Sequence, residues 1–269
     1  MSEKRKSDLA LAMPSTTIST IQNSDEVAIS RISKVKSYLN ENIGDDIYVE
    51  IELLFLAFGI GIQDATTFPD YSCFASNQTG NTVFLAIETA KIGAENFPFS
   101  NIGFSLAFFI LGSLTMGQLG HYIGPTRRLW ILLTNLLQTT LVIAATAIQY
   151  TTPLLPTGPA AWTVISSLAF SSGAQVAMAR GLGITEITTA MATAAYVDLV
   201  ADPKLLVREN RGRNRRVAFL VCLTVGSFVG AFAHRGVSSA FGLLLSCGIK
   251  VGVMVAMGFN RRVERGVFV

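Results

Sequence analysis

Gly61-Ile62-Gln63-Asp64-Ala65 closes one long apolar run, and Phe74-Ala75-Ser76-Asn77-Gln78-Thr79-Gly80-Asn81 opens the next. The first stretch ends its run on two polar side chains. The second begins with small and hydrogen-bonding residues. Polar groups inside bilayer-length apolar segments are costly, so they face a partner, a cavity or a substrate. The pattern predicts an integral membrane protein with a polar interior.

Composition points the same way. The chain has 269 residues, of which 50% are hydrophobic and 14% charged. Soluble domains average about 25% charged residues. A net charge of +3 gives no case for nucleic-acid binding. Cys73, Cys222 and Cys247 fall in apolar stretches and read as small packing residues, with no metal or disulfide spacing. There is no phosphate loop, nucleophile elbow or HExxH motif. The expectation is therefore no enzyme, no catalytic residue, no metal and no cofactor.

Eight apolar segments follow one another at about 50–68, 72–91, 102–123, 128–149, 159–179, 184–201, 216–233 and 237–259. A full span needs about 20 residues. The second and sixth segments are weak spans. One holds Asn77, Gln78, Asn81, Glu88 and Lys91, and the other holds Glu186 and Asp198.

Basic residues set orientation. Lys204, Arg208, Arg211, Arg213, Arg215 and Arg216 mark the 202–216 linker as cytosolic. The linker from Tyr150 to Trp162 has no Lys or Arg and should face away. Eight full spans would break this rule at Arg127 and Arg128. Six spans, with the second and sixth segments re-entrant, put every basic cluster but the lone Arg235 inside, along with both termini. Re-entrant backbone is tolerated only where protein or a water-filled cavity surrounds it.

The domain reading follows. Residues 1–24 are expected as a disordered cytosolic tail, 25–44 as an amphipathic cytosolic helix, 45–260 as the transmembrane domain and 261–269 as a second cytosolic tail. Val27, Ile32, Val35 and Leu39 recur at helical spacing in the second of these. That helix either lies on the membrane surface or packs on the rest of the protein.

The two halves, about 50–149 and 159–259, resemble each other. Gly61-Ile-Gln63 matches Gly173-Ala-Gln175, and Thr79-Gly80 aligns with Thr193-Ala194. Gly112-Ser113 matches Gly226-Ser227, and His121 matches His234. The separations are 112, 114, 114 and 113 residues. Three spans per copy make the second copy inverted. The predicted fold is all-α: a polytopic membrane helix bundle of about six spans plus two re-entrant or short helices, in a 3+3 inverted repeat. Such folds are common among secondary transporters. Gly120-x-x-x-Gly124, Gly226-x-x-x-Gly230 and Gly248-x-x-x-Gly252 are read as helix-packing sites.

The Gly-x-x-Asp-Ala and Phe-Ala-Ser-Asn-Gln-Thr-Gly-Asn-Thr patterns, here Gly61–Ala65 and Phe74–Thr82, resemble the YoaK-like membrane-protein family (domain of unknown function 1275). Thr188-Thr189-Ala-Met-Ala-Thr193 to Asp198-Leu199, followed by the basic Arg211–Arg216, is similar to its fungal branch. The resemblance covers about residues 45–260. It implies a membrane protein and supplies no substrate.

Candidate substrate-binding residues are Gln63, Asp64, Thr79, Gly80, Asn81, Gln175, Glu186, Thr189 and Thr193. Two re-entrant turns from opposite faces would bring them together near the midplane. Asp64 is either a ligand for a cation, proton or amine, or a structural carboxyl bonded to Gln175 or a Thr hydroxyl. Gln63 and Gln175 are expected to satisfy broken backbone. Thr79, Gly80 and Asn81 form a capping turn or an anion-facing helix N-terminus. Glu186 and Arg180 flank a turn where they could pair, as a gate or as a plain salt bridge, and Glu88 is expected to pair with Lys91. Asp198 and Lys250 are expected near the cytosolic face, or snorkelling to it. Two functions are open: a transporter or channel for a small polar or ionic solute, or a membrane scaffold or regulator. In both, the lipid bilayer is the surrounding partner.

Overall fold

Capping side chains mark where several of the helices begin. In the computed structural model, which describes residues 29–92 and 97–260, nine helices and no strands are present among those residues. Helix α1 covers residues 29–39 and belongs to a unit of its own that ends at Glu41. The remaining helices form the second unit: α2 (Ile47–Tyr71), α3 (Gln78–Ala90), α4 (Phe99–Ile123), α5 (Arg128–Thr151), α6 (Pro159–Gly181), α7 (Ala192–Val200), α8 (Arg211–Gly236) and α9 (Ser239–Met257). Asp46 caps α2 by accepting from the Val49 N–H at 2.9 Å, and Asn210 caps α8 by accepting from Arg213 at 2.9 Å. Ser238 does the same for α9. These bonds satisfy amides that the first helical turn leaves free. The tails expected over 1–24 and 261–269 lie outside the described residues.

Four helices are long and apolar enough to cross a membrane: α4, α5, α8 and α9. Helices α2 and α6, at 25 and 23 residues, have the length but are not among those four, counted over the described residues. Their burial explains the difference. Fourteen residues are buried in each, against six in α4 and five in α8. A central helix wrapped by protein has no need of an all-apolar surface.

Two crossings hold the centre. Helix α2 packs most closely on α8, and α4 on α6. A side chain at Gly61 would overlap the Leu223 carbonyl, and one at Gly226 would overlap the Phe58 carbonyl. The second crossing repeats this reciprocity: Gly173 meets the Phe109 carbonyl and Gly112 the Phe170 carbonyl. Glycine is required at all four positions because backbone occupies the space of a Cβ. Helices α5 and α9 pack on each other, α5 also on α6, and α9 also on α2. The packing reading holds for Gly120, set against Trp130, and for Gly226 and Gly230. It fails for Gly248 and Gly252, whose outward faces meet nothing within 4 Å.

Side chains tie the helix ends into two layers. At one end Arg215 donates to Glu50 at 2.7 Å and also pairs with Asp45, while Arg211 pairs with Glu50 as well. Asn260 donates to Glu52 at 2.6 Å, and the Ile43 N–H donates to the Thr126 carbonyl at 2.9 Å. This layer joins the starts of α2 and α8 with the ends of α4 and α9. At the other end Asn101 donates to the carbonyls of Tyr71 (2.9 Å) and Pro156 (2.8 Å). Gln149 donates to the Tyr71 hydroxyl at 2.9 Å, Trp162 to Ser100 at 3.2 Å, and His234 lies 2.7 Å from Asp70. This layer joins the ends of α2, α5 and α8 with the starts of α4 and α6.

The second and sixth segments are both interrupted. Ser72 adopts a left-handed conformation (φ 51°) and ends α2. Residues 72–77 are not helical, and α3 then runs for only 13 residues, packed on α4. Residues 182–191 are likewise irregular, and α7 has nine residues packed on α8.

Candidate functional site

The polar interior is built from four helices. Lys250 on α9 is 2% exposed, and its amine donates to Oε1 of Gln175 on α6 at 2.7 Å and to Oε1 of Gln138 on α5 at 3.1 Å. Gln175 turns its amide towards the Leu56 carbonyl of α2, 3.4 Å away. One turn from Lys250 on the same face of α9, the Ser246 hydroxyl accepts from Gln63 at 2.8 Å and donates to the Gly59 carbonyl at 3.1 Å. Thr66 and Thr67 bond back to the Ile62 and Gln63 carbonyls, which keeps their hydroxyls occupied within α2.

The interior also holds buried groups that bond to no described residue. They are Gln63 Oε1, Gln138 Nε2 and the hydroxyls of Thr134, Thr139 and Ser172. Buried polar groups are normally paired, so these are groups that water or a bound molecule would satisfy.

Lys250 is a correction to the sequence expectation. It neither lies at the cytosolic face nor reaches for it. Two glutamine carbonyl groups solvate the ammonium inside the bundle, so its four-carbon stem has no need to extend outward. Lys250, Gln138 and Ser246 were not among the expected site residues. The sequence offers only a spacing for them: Gln138 and Lys250 stand 112 residues apart, as do Thr134 and Ser246.

The expected site residues divide among separate environments. Gln63 and Gln175 join the centre through Ser246 and Lys250. Asp64 instead accepts from the Ser76 N–H at 2.9 Å and from the Ser76 hydroxyl. Its partner is thus the irregular stretch before α3, and neither Gln175 nor a threonine. Asn81 is fully buried and grips the same stretch. Its amide donates to the Phe74 carbonyl (2.8 Å) and to Ser105 (3.0 Å), and its oxygen accepts from the Phe74 N–H (2.9 Å). Asn77 accepts from the Gly80 N–H at 3.3 Å, so Gly80 sits in the capping turn. Thr79 and Thr193 are exposed, and their helices α3 and α7 do not pack on each other.

Glu186 stands apart from the centre. It lies 3.4 Å from Arg215, while Arg180 meets the Met191 sulfur at 3.7 Å, so the Glu186–Arg180 pair open in the sequence is replaced. Ile184 and Ile187 explain why the sixth segment stays shallow. Both are buried in the apolar cluster that also contains Leu53, Trp130 and Phe219, at the end of the bundle where the arginines sit. Thr189 is buried there in a left-handed conformation (φ 59°). The expected meeting of all nine residues at one point is therefore not the arrangement found. Lys91 pairs with Glu88 as expected. In the 201–210 linker, bonds from the Asn210 side chain and the Lys204 N–H hold the Asp202 carboxyl below its usual range.

A cavity of about 470 Å³ opens between α4, α6 and the residues before α7. Met116, Trp130, Val176, Arg180, His121 and Met191 are among its walls, and no Asp or Glu lines it. No group of three or more His, Cys, Asp or Glu suited to a metal is found among the described residues.

Long apolar helices around a buried polar centre define a multi-helix protein of the integral-membrane class. The sequence profile of the family described as "Protein of unknown function (DUF1275)" matches residues 53–256, and the chain belongs to that family. No curated protein and no solved structure matches the chain.

Proposed function

We propose that the protein is a carrier for a small polar or ionic solute. It is built as two inverted three-span copies, each with one short re-entrant helix, and works by alternating access around Lys250, Gln138, Gln175 and Gln63. The observation that carries this reading is the buried lysine held by two glutamines where α5, α6 and α9 meet. Charged groups at such depth are rare and tend to mark solute or ion pathways.

The repeat is supported by the two glycine crossings, which use equivalent residues in each half. The six-span reading is supported by the two layers of end contacts, in which α2, α5 and α8 run one way and α4 and α6 return. With 72–77 bonded to Asp64, two turns inside the end of α2, the second segment dips in and comes back. The basic end, with Arg211 and Arg215, faces the cytosol in this reading.

The test is a solute panel on purified full-length protein in sealed vesicles, with a Gln63→Leu variant as control. Uptake above protein-free vesicles that falls in the variant supports the carrier. A complete absence of flux, with the protein folded and oriented, would favour the scaffold reading.

A further inference from the structure

We propose that the solute is a small monovalent anion and that Lys250 is the group that recognises it. This deepens the carrier reading and rests on it.

Charge is the first argument. Among the described residues the Lys250 amine meets only neutral partners, Gln138 and Gln175, and forms no salt bridge. Asp64, the residue next to Gln63 on α2, is committed to Ser76. When protonated, a buried amine without a counter-charge repels a cation, and a bound anion in turn favours the protonated form.

Donor count is the second. An ammonium has three hydrogens, and two have acceptors here. The Gln138 amide and the hydroxyls of Thr134, Thr139 and Ser172 are further donors on α5 and α6 with no partner. Those hydroxyls can accept as well as donate, so the groups that can only donate are the amine and the Gln138 amide, and the one that can only accept is Gln63 Oε1. An interior with surplus donors and one positive charge is suited to a solute that brings acceptors and a negative charge.

The third argument is that the charge is not needed for packing. Gln138 is the residue equivalent to Lys250 in the first half, at the separation that relates Gln63 to Gln175. There a neutral glutamine fills the position, buried to the same degree. The lysine is therefore surplus to the fold. The cavity walls agree in sign, since Arg180 and His121 line it without a carboxylate. Trp130 on one wall is two helical turns from Gln138, about 12 Å along α5. Val176 on another wall is the neighbour of Gln175.

The experiment uses full-length protein in vesicles, with potassium chloride, potassium glycolate and glycerol gradients. Valinomycin carries the potassium so that anion entry limits swelling. Chloride and glycolate distinguish an inorganic anion from a carboxylate. Wild type is expected to pass one or both anions above protein-free vesicles. Lys250→Gln, the residue already present in the other half, should lose at least about tenfold of that rate, while Lys250→Arg retains most of it. Anion flux unchanged in Lys250→Gln, or glycerol flux without anion flux in wild type, overturns the anion site and leaves the carrier standing. No flux of any probe overturns the carrier. In that case melting in detergent decides the site. A melting point raised by chloride over gluconate at equal ionic strength, in wild type and not in Lys250→Gln, retains it; equal melting in both removes it.

Discussion

Lys250 donates to Gln138 at 3.1 Å, and the two residues stand 112 positions apart, the same separation that relates Gln63 to Gln175. In the proposed repeat, the bond joins equivalent places in the two halves of the chain. Gln63 and Gln175 flank it through Ser246 and Lys250. One half contributes a neutral amide and the other a charge, so the centre is matched in shape and unequal in electrostatics.

The close helix crossings give the first prediction. Gly112→Ala and Gly226→Ala should each cost about 1–3 kcal/mol, because the new methyl meets backbone that has no rotamer to yield. Gly248→Ala and Gly252→Ala face open space and should stay within about 0.5 kcal/mol. Unfolding in mixed detergent micelles measures all four. Equal losses at every position would mean that the crossings are not what the glycines serve.

Much of the architecture was legible because hydropathy reads along a chain. The long helices sit where the apolar runs predicted, and the interruptions at 72–77 and 182–191 fall in the two segments whose polar content weakened them as spans. What hydropathy does not report is the face of a helix. A lysine in an apolar run is expected to extend its stem towards water, whereas Lys250 points inward on α9 and its neighbours Val251 and Gly252 face outward. Thr79 and Thr193 were paired by sequence offset, which says nothing of exposure. Asp64 was assigned the wrong partner because its true one, Ser76, lies on chain whose return into the bundle no residue pattern measures. Gln138 and Lys250 stand 112 residues apart, the separation of the aligned Gln63 and Gln175, but their unlike side chains give no match along the sequence.

The charged end makes the second prediction. Arg215 is 9% exposed in its side chain and touches Asp45, Glu50 and Glu186, whereas Arg211 is 57% exposed. Arg211→Ala should cost no more than about 1 kcal/mol, and that cost should fade with added salt. Arg215→Ala removes the buried partner of Glu50 and leaves it only the exposed Arg211, so it should cost more, roughly 2–3 kcal/mol, with less dependence on salt. A double-mutant cycle with Glu50→Gln reads the coupling, and additivity at Arg215 would contradict the buried network.

Orientation is tested by chemistry from either side. In a background without Cys73, Cys222 and Cys247, Thr157→Cys should react with an impermeant maleimide on intact cells. Leu206→Cys, at a position 94% exposed, should react only after permeabilisation. The reverse pattern would invert the bundle, and labelling of both from outside would break the six-span reading.

The last prediction separates bracing from solute contact. Asn81 holds both the N–H and the carbonyl of Phe74, together with Ser105. Asn81→Ala leaves the Phe74 N–H without its partner, while Ser105 still donates to the carbonyl, and should cost about 1–3 kcal/mol. Less of the protein should fold, yet each folded molecule should keep its uptake rate. Asp64→Asn should act alike, because it weakens the bonds from Ser76 while leaving the centre intact. Gln175→Met is the contrast. It keeps the volume on α6 and removes one acceptor from the Lys250 amine, so uptake per folded molecule should fall while the folded yield changes less. Size-exclusion yield and initial uptake rate, measured on the same preparations, distinguish the two. If Asn81→Ala melts like wild type and transports nothing, then Asn81 touches the solute, and the pathway runs past α3 as well as through the Lys250 centre.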